Sequence, residues 1–397
     1  MLRAKPPLWR KQLASVQDGI HVDSWEINQV GLPLSTTCSW RIKKYTLHGG
    51  RQEGVDVVEV DNGRLRFLVL PTRGMSVLRV EAGDVLLGWN SPVKEVVHPK
   101  FMNLESRGGH GWLEGFNEWL VRCGLEWAGH PGRDKFRNQA GDEVEMDLTL
   151  HGKIGNIPAS EVEVLVEDGP QPRIHVRGLV HERMFHGPNL SFWADISTEL
   201  GVNSLRFDDE ITNHGADEQE FQIIYHANFG PPLLEPGARL VAALDRVGSF
   251  NEHAARSVKT FREFGGPQAG FVEQVYCLHP LAGADGRTEL LLENAKRTRG
   301  VSLAFPVQQL PCVTLWKNLA TETVGYVVGI EPGTGFPYTR RLEREAGRVP
   351  KLAPVETRRF AMEISIHSDP ASVRSASRRI QAIQANIKPT LDGDRED

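Results

Sequence analysis

The chain has 397 residues, 40% of them hydrophobic and 24% charged, the balance of an ordinary globular protein. Its 46 basic and 51 acidic side chains leave a formal charge of −5, which argues against a nucleic-acid partner, because a phosphate backbone selects a basic face. No run approaches the roughly 18 apolar residues of a bilayer span, and Met1-Leu2-Arg3-Ala4-Lys5-Pro6-Pro7 lacks the apolar stretch of a secretory signal. Neither a membrane protein nor an exported one is expected. Cys38, Cys123, Cys277 and Cys312 stand singly, so they read as thiols of a reducing cytoplasm and not as a disulfide or zinc framework.

The first residues are basic and contain proline, and residues 1–30 are expected to form a peripheral arm. Alternation of apolar and polar residues then dominates. Val55–Val60 and Arg64–Leu70 are joined across Asp61-Asn62-Gly63, a hairpin signal. The same pattern recurs at 144–150, 161–167, 173–180, 191–200, 205–212, 220–225, 288–293, 301–305, 324–330 and 358–366. Each reads as an antiparallel strand with one buried face. Residues 105–137 break the alternation, carry Trp112, Trp119 and Trp127, and are expected to cross one sheet face as a long excursion. Helical spacing is confined to Asp369–Ile387, where Val373, Ala376, Ile380, Ile383 and Ile387 recur at three- and four-residue steps. An acidic tail follows and is expected to fray. The predicted architecture is all-β: one large antiparallel β-sandwich over 31–368, then a short C-terminal helix and tail over 369–397.

Four stretches place ionisable groups beside glycine and aromatics: Leu150–Asn156, Ile224–Gly230, Phe271–Tyr276 and Gly329–Gly335. Taken singly each has a plain alternative. A histidine in a strand is more often structural, and a glutamate before Pro-Gly usually ends a strand in solvent. Trp112, Trp119, Trp127 and Trp316 could stack on a sugar or simply cover the sheet, and His110 and His130 flank the same excursion.

Together and in this order, they resemble the aldose 1-epimerase (galactose mutarotase-like) superfamily. Leu150-His151-Gly152 matches its first histidine segment, His226 with Phe229 its second, Glu273 its acidic sugar ligand, and Ile330-Glu331-Pro332 its last carboxylate. The chain is still more similar to a bacterial, epimerase-like branch of unassigned function. Pro71-Thr72-Arg73-Gly74-Met75, Cys123-Gly124-Leu125, His151–Ala159, Tyr225-His226-Ala227-Asn228, Glu273–Tyr276 and Leu315-Trp316-Lys317 carry that likeness, over roughly residues 50 to 365. The chain departs from the mutarotases at Tyr225, Asn228 and Lys153, all in the sugar-binding shell.

The resemblance implies a supersandwich fold and a cytoplasmic isomerase that interconverts sugar anomers. Such a reaction needs a base at the anomeric hydroxyl and an acid at the ring oxygen. The resemblance makes Glu331 the base, His226 the acid and His151 a holding group that shares in proton transfer. Arg73, Glu273, Lys317, Asn228 and Trp316 are expected to bind substrate, with Lys317 neutralising an acidic substituent or orienting Glu331. No metal or organic cofactor is implied. The expected partner is a small sugar or sugar acid, with no nucleic acid and no membrane, and a homodimer stays open. Two alternatives remain: a non-catalytic carbohydrate-binding sandwich, and an isomerase or lyase acting on a keto-sugar or sugar acid at the same site.

Overall fold

An alternating strand buries one face against a partner layer, and long runs of such strands must find each other. In the computed structural model, which describes residues 9–34, 36–138 and 140–395, they form two large sheets of ten and thirteen strands. The pairings are antiparallel except that Thr390–Arg395 runs parallel to Leu244–Ser249. The sheets share one core, into which Phe67, Phe192, Phe207, Phe221, Leu315 and Ile330 project. The Asn62 turn forms as predicted: its Oδ1 accepts the N–H groups of Arg64 and Leu65, and its amide donates across to Thr198 Oγ1 at 2.7 Å. Among the described residues no helix is long and apolar enough to cross a membrane.

A buried ion pair joins the sheets. Arg122 donates from Nε and Nη2 to the two oxygens of Asp209, at 2.7 and 3.0 Å, and from Nη1 to the Met75 carbonyl. Tyr225 Oη donates to the same carboxylate at 2.8 Å. The guanidinium lies among the rings of Phe192 and Phe207, so every polar atom here depends on its partners.

Several expectations need correction. The N-terminal segment is no loose arm within the described residues. Trp9–Ser15 pairs with Glu161–Glu167, and Leu13 sits in the core. The predicted tail is also ordered in part, because Thr390–Arg395 adds an edge strand. The excursion contains a central strand, Leu120–Leu125, between Gln222–Phe229 and Ser76–Ala82. All six of its residues are buried, so it shows no alternation. The helix spans Pro370–Gln384, capped by Asp369, with Val373, Ala376 and Ile380 against Leu291.

Strand parity turns one predicted ligand inward. In Cys312–Leu319, Val313 and Leu315 face the core, and Lys317 shares their parity. It is 4% exposed, with Nζ over the rings of Phe264 and Tyr276 at 5.6 and 5.8 Å. Burial lowers its pKa from 10.5 to about 8. The unfolded chain therefore holds this proton between pH 8 and 10.5 while the folded chain does not. Stability should rise with pH across that window, and the full cost of the charge is present below pH 8. Replacing Lys317 by Met should stabilise the fold at pH 7 by up to about 3 kcal/mol and abolish that rise. Urea denaturation at pH 7, 8.5 and 10 checks both outcomes.

Candidate active site

Four neighbouring strands of the thirteen-stranded sheet build the floor of a cleft: Gln274–Pro280, Cys312–Leu319, Tyr326–Gly333 and Gln222–Phe229. Their inward positions fill the core, so their alternate positions, among them Thr314, Trp316, Glu331 and His226, face the other way. Thr314 pairs with Glu331, and the register running from Ile224↔Gly333 to Ala227↔Ile330 sets His226 opposite Glu331. His226 in turn pairs with Val121. A hydroxyl, a carboxyl and an imidazole thus lie in one row across the sheet.

The excursion supplies the wall. Trp112 packs against the His151 ring at 4.7 Å, and Phe116 against His226 at 5.2 Å. His151 arrives on a loop, with φ +58 and its ring centroid 5.3 Å from that of His226. Trp316 donates its indole N–H to Glu273 at 2.8 Å on the exposed rim. The cleft holds a cavity of about 160 Å³, well below the ~300–1,000 Å³ of drug-sized pockets, and suits one small ring.

Burial sets the charge states. His226 Nε2 and Glu331 Oε1 are 3.2 Å apart, yet off line for a hydrogen bond. Burial raises the Glu331 carboxyl well above the usual carboxylate range, and Glu273 adds to the rise. Burial lowers His226 to about 4, and His151 lies well below the ordinary imidazole value, from burial first and then from His226. Around neutrality burial thus favours the uncharged form of each partner, with the proton on Glu331 and His226 neutral. Glu331 Oε1, Thr314 Oγ1 and the Nδ1 atoms of His151 and His226 are buried with no hydrogen-bond partner. Such a concentration of unpaired polar atoms marks a place built for a hydrogen-bonding ligand.

The structure therefore brings together His151, His226, Glu273, Trp316 and Glu331. It leaves three predicted ligands outside. Arg73 is 1% exposed and donates from Nε and Nη2 to Glu118 Oε1 at 3.0 and 2.8 Å. Lys317 faces the core. Asn228 shares the face of His226, but its amide donates to the carbonyls of Glu118 and His226, and it does not line the cavity. His110 and His130 do line it, together with Phe116, Thr314 and Pro337. His110 is oriented by the Arg107 carbonyl, and His130 stacks on Phe250. Their flanking of the excursion was the one signal the sequence offered. Among the described residues no group of three or more His, Cys, Asp or Glu is arranged to hold a metal ion. A larger groove, about 1570 Å³, lies beside Gly132–Arg137, but Arg344 on its wall is bound to Asp134 and Glu220. Its charges are largely occupied with one another.

Residues 52–366 match a family described as a domain of unknown function, DUF4432. The chain belongs to this family. A Klebsiella pneumoniae protein provisionally named an aldose 1-epimerase is 40% identical, with 97% of this chain and 98% of that one covered and a TM-score of 0.91. A galactose mutarotase-like protein from Clostridium acetobutylicum is 14% identical, covering 87% and 99%, with a TM-score of 0.54. An Escherichia coli protein, also provisionally named an aldose 1-epimerase, is 15% identical, covering 79% and 100%, at 0.50. At those identities the likeness is one of fold. No curated protein matches the chain. This DUF4432 chain thus has the galactose mutarotase-like sandwich, with the cleft on the outer face of its larger sheet.

Gly329 gives the carboxylate its room. A Cβ there would lie 2.3 Å from Glu331 Oε1 and 3.3 Å from the Trp316 ring. Because the obstructed atom ends a flexible side chain, Gly329→Ala should turn the carboxyl aside at a stability cost below about 1 kcal/mol. Any reaction that uses the Glu331 carboxyl should fall at least tenfold. Thermal denaturation beside an anomer-exchange assay checks the separation of the two effects.

Proposed function

We propose that this DUF4432 protein is an isomerase that interconverts the α and β anomers of a neutral aldose. The observation that carries this reading is the row in which Glu331 Oε1 lies 3.2 Å from His226 Nε2 beside a cavity sized for one ring. Ring opening needs a base and an acid at two oxygens of the same hemiacetal, and the pair offers both.

In the reactive form Glu331 is ionised and His226 protonated. Glu331 takes the proton of the anomeric hydroxyl while His226 gives one to the ring oxygen, and the C1–O5 bond breaks. The electron pair of the former O–H bond becomes part of the aldehyde C=O. Rotation about C1–C2 presents the other carbonyl face, and the reverse transfers close the ring. Both protein groups end as they began. Burial disfavours the ion-paired form in the empty pocket, and sugar hydroxyls at Thr314, His151 and Glu273 supply the hydrogen bonds that support it. Trp112, Phe116 and Trp316 exclude water and present flat faces to the ring.

The choice of a neutral sugar rests on charge. Among the described residues no lysine or arginine lines the cavity, whereas Glu273 and Glu331 both do. Lys317, the expected counter-ion for an acidic substituent, is turned away, and so is the Arg73 guanidinium. A carboxylate or phosphate on the substrate would meet like charge without compensation.

Saturation transfer between anomeric protons across a set of aldoses and their uronic acids tests this. The aldoses should exchange faster than their uronic acids. Glu331→Gln and His226→Ala should each cost about 10²–10⁴-fold. Equal exchange in wild type and Glu331→Gln would end the enzymatic reading. Sugar-induced fluorescence quenching that persists in Glu331→Gln, with no turnover in either protein, would instead indicate a binding module.

A further inference from the structure

Beneath the His151 loop lies a buried carboxylate with no part in the reaction described above. Glu182 stands near the end of Arg173–Arg183, in the opposite sheet, and is 3% exposed. Its two oxygens reach across the sandwich to the other sheet. Oε2 accepts the Leu125 N–H at 2.8 Å, and Oε1 the Glu126 N–H at 3.3 Å.

The segment it grips is the one that clamps His151. Gly124 N–H donates to the His151 carbonyl at 3.1 Å, and the Gly124 carbonyl accepts from Lys153 at 2.8 Å. His151 N–H donates to the Gly129 carbonyl at 2.8 Å. Between these bonds a Cβ on Gly152 would lie 2.3 Å from the Gly124 oxygen and 2.2 Å from that of Trp127, so the two chains touch. His151 needs such a clamp, because its positive φ is costly for a residue with a Cβ.

We propose that Glu182 is a positioning residue for His151, its carboxylate fixing residues 124–126 and, through them, the loop that aims the imidazole into the cleft. Insofar as His151 holds a sugar, this rests on the reading above. An ionised carboxyl accepts strongly at both oxygens, whereas a proton on either one weakens it as an acceptor and adds an O–H beside the N–H donors. Burial raises this carboxyl to about 6, Glu126 adding to the rise and Lys153 opposing it. Those are the charged groups that face it, with Lys153 itself held over the Trp127 ring. The grip should therefore loosen as pH falls through about 6.

The test follows His151 in the full-length protein carrying ¹³C-labelled imidazoles, its signal assigned with His151→Gln. Between pH 7.5 and 5 the His151 resonance should move with a midpoint near 6, above the ring's own depressed titration. In Glu182→Gln the resonance should be displaced at pH 7 and show no such midpoint, while that of His226, held by the sheet, keeps its position. Anomer exchange in Glu182→Gln should show KM raised at least tenfold with kcat changed less. A His151 resonance that is constant over this range, or one that Glu182→Gln leaves in place, would overturn the proposal. Should Glu182→Gln fail to fold, the wild-type titration decides alone. Absence of sugar turnover in the wild type would count against the enzymatic reading and leave the resonance test intact.

Discussion

Register is the constraint on which the site depends. In an antiparallel pair the side chains of facing residues lie about 4.5–5.5 Å apart, and alternate residues share a face. Once the core claims Tyr225, Ala227, Val328 and Ile330, His226 and Glu331 must point outward, side by side. No loop conformation enters into that placement. A slip of one residue would send the carboxyl and the imidazole into the core and the aliphatic residues into the cleft. The hydrophobic effect that folds the sandwich therefore also aligns this carboxyl with this imidazole.

The Arg122–Asp209–Tyr225 cluster guards the same register from below. Arg122 and Tyr225 lie on the two strands that carry Val121 and His226, and Asp209 belongs to the opposite sheet. Removing Arg122 or Asp209 would leave a buried charge without its partner, a loss of about 3–5 kcal/mol, whereas the pair as a whole contributes far less to stability than its geometry suggests. Its value lies in specificity, since only one alignment of the sheets satisfies every donor. On the far side the unpaired polar atoms of Glu331, Thr314 and the two histidines stand in contrast. Gln222–Phe229 joins the two, carrying the bonded Tyr225 hydroxyl inward and the unpaired His226 Nδ1 outward.

Much of this was legible in the sequence. Alternating runs announced the sandwich, and the ordered segments around His151, His226, Glu273 and Glu331 announced the cleft. What failed did so for identifiable reasons. Trp316 and Lys317 were assigned to one site although adjacent residues of a strand face opposite ways, so placing the indole in the cleft already excluded the amine. Arg73 has no such rule, because its burial depends on Glu118, a partner 45 residues away that no local pattern reveals. Leu120–Leu125 was hidden by being covered on both faces, and Thr390–Arg395 by the acidic composition of an edge strand. Glu182 lies in an ordinary alternating strand, and only the fold brings it to the backbone of Leu125.

Floor and wall of the cleft come from different parts of the chain. The row of Thr314, Glu331 and His226 hangs on hydrogen-bonded strands whose reverse sides are committed to the core, while Trp112, Phe116, His110 and His130 ride on connections outside the sheets. Substitutions in those connections can reshape the aperture and its contacts without disturbing a single ladder bond. Diversification of ligand preference among descendants of this architecture should accordingly concentrate in the 89–118 and 126–131 connections, with Glu331 and His226 inherited unchanged.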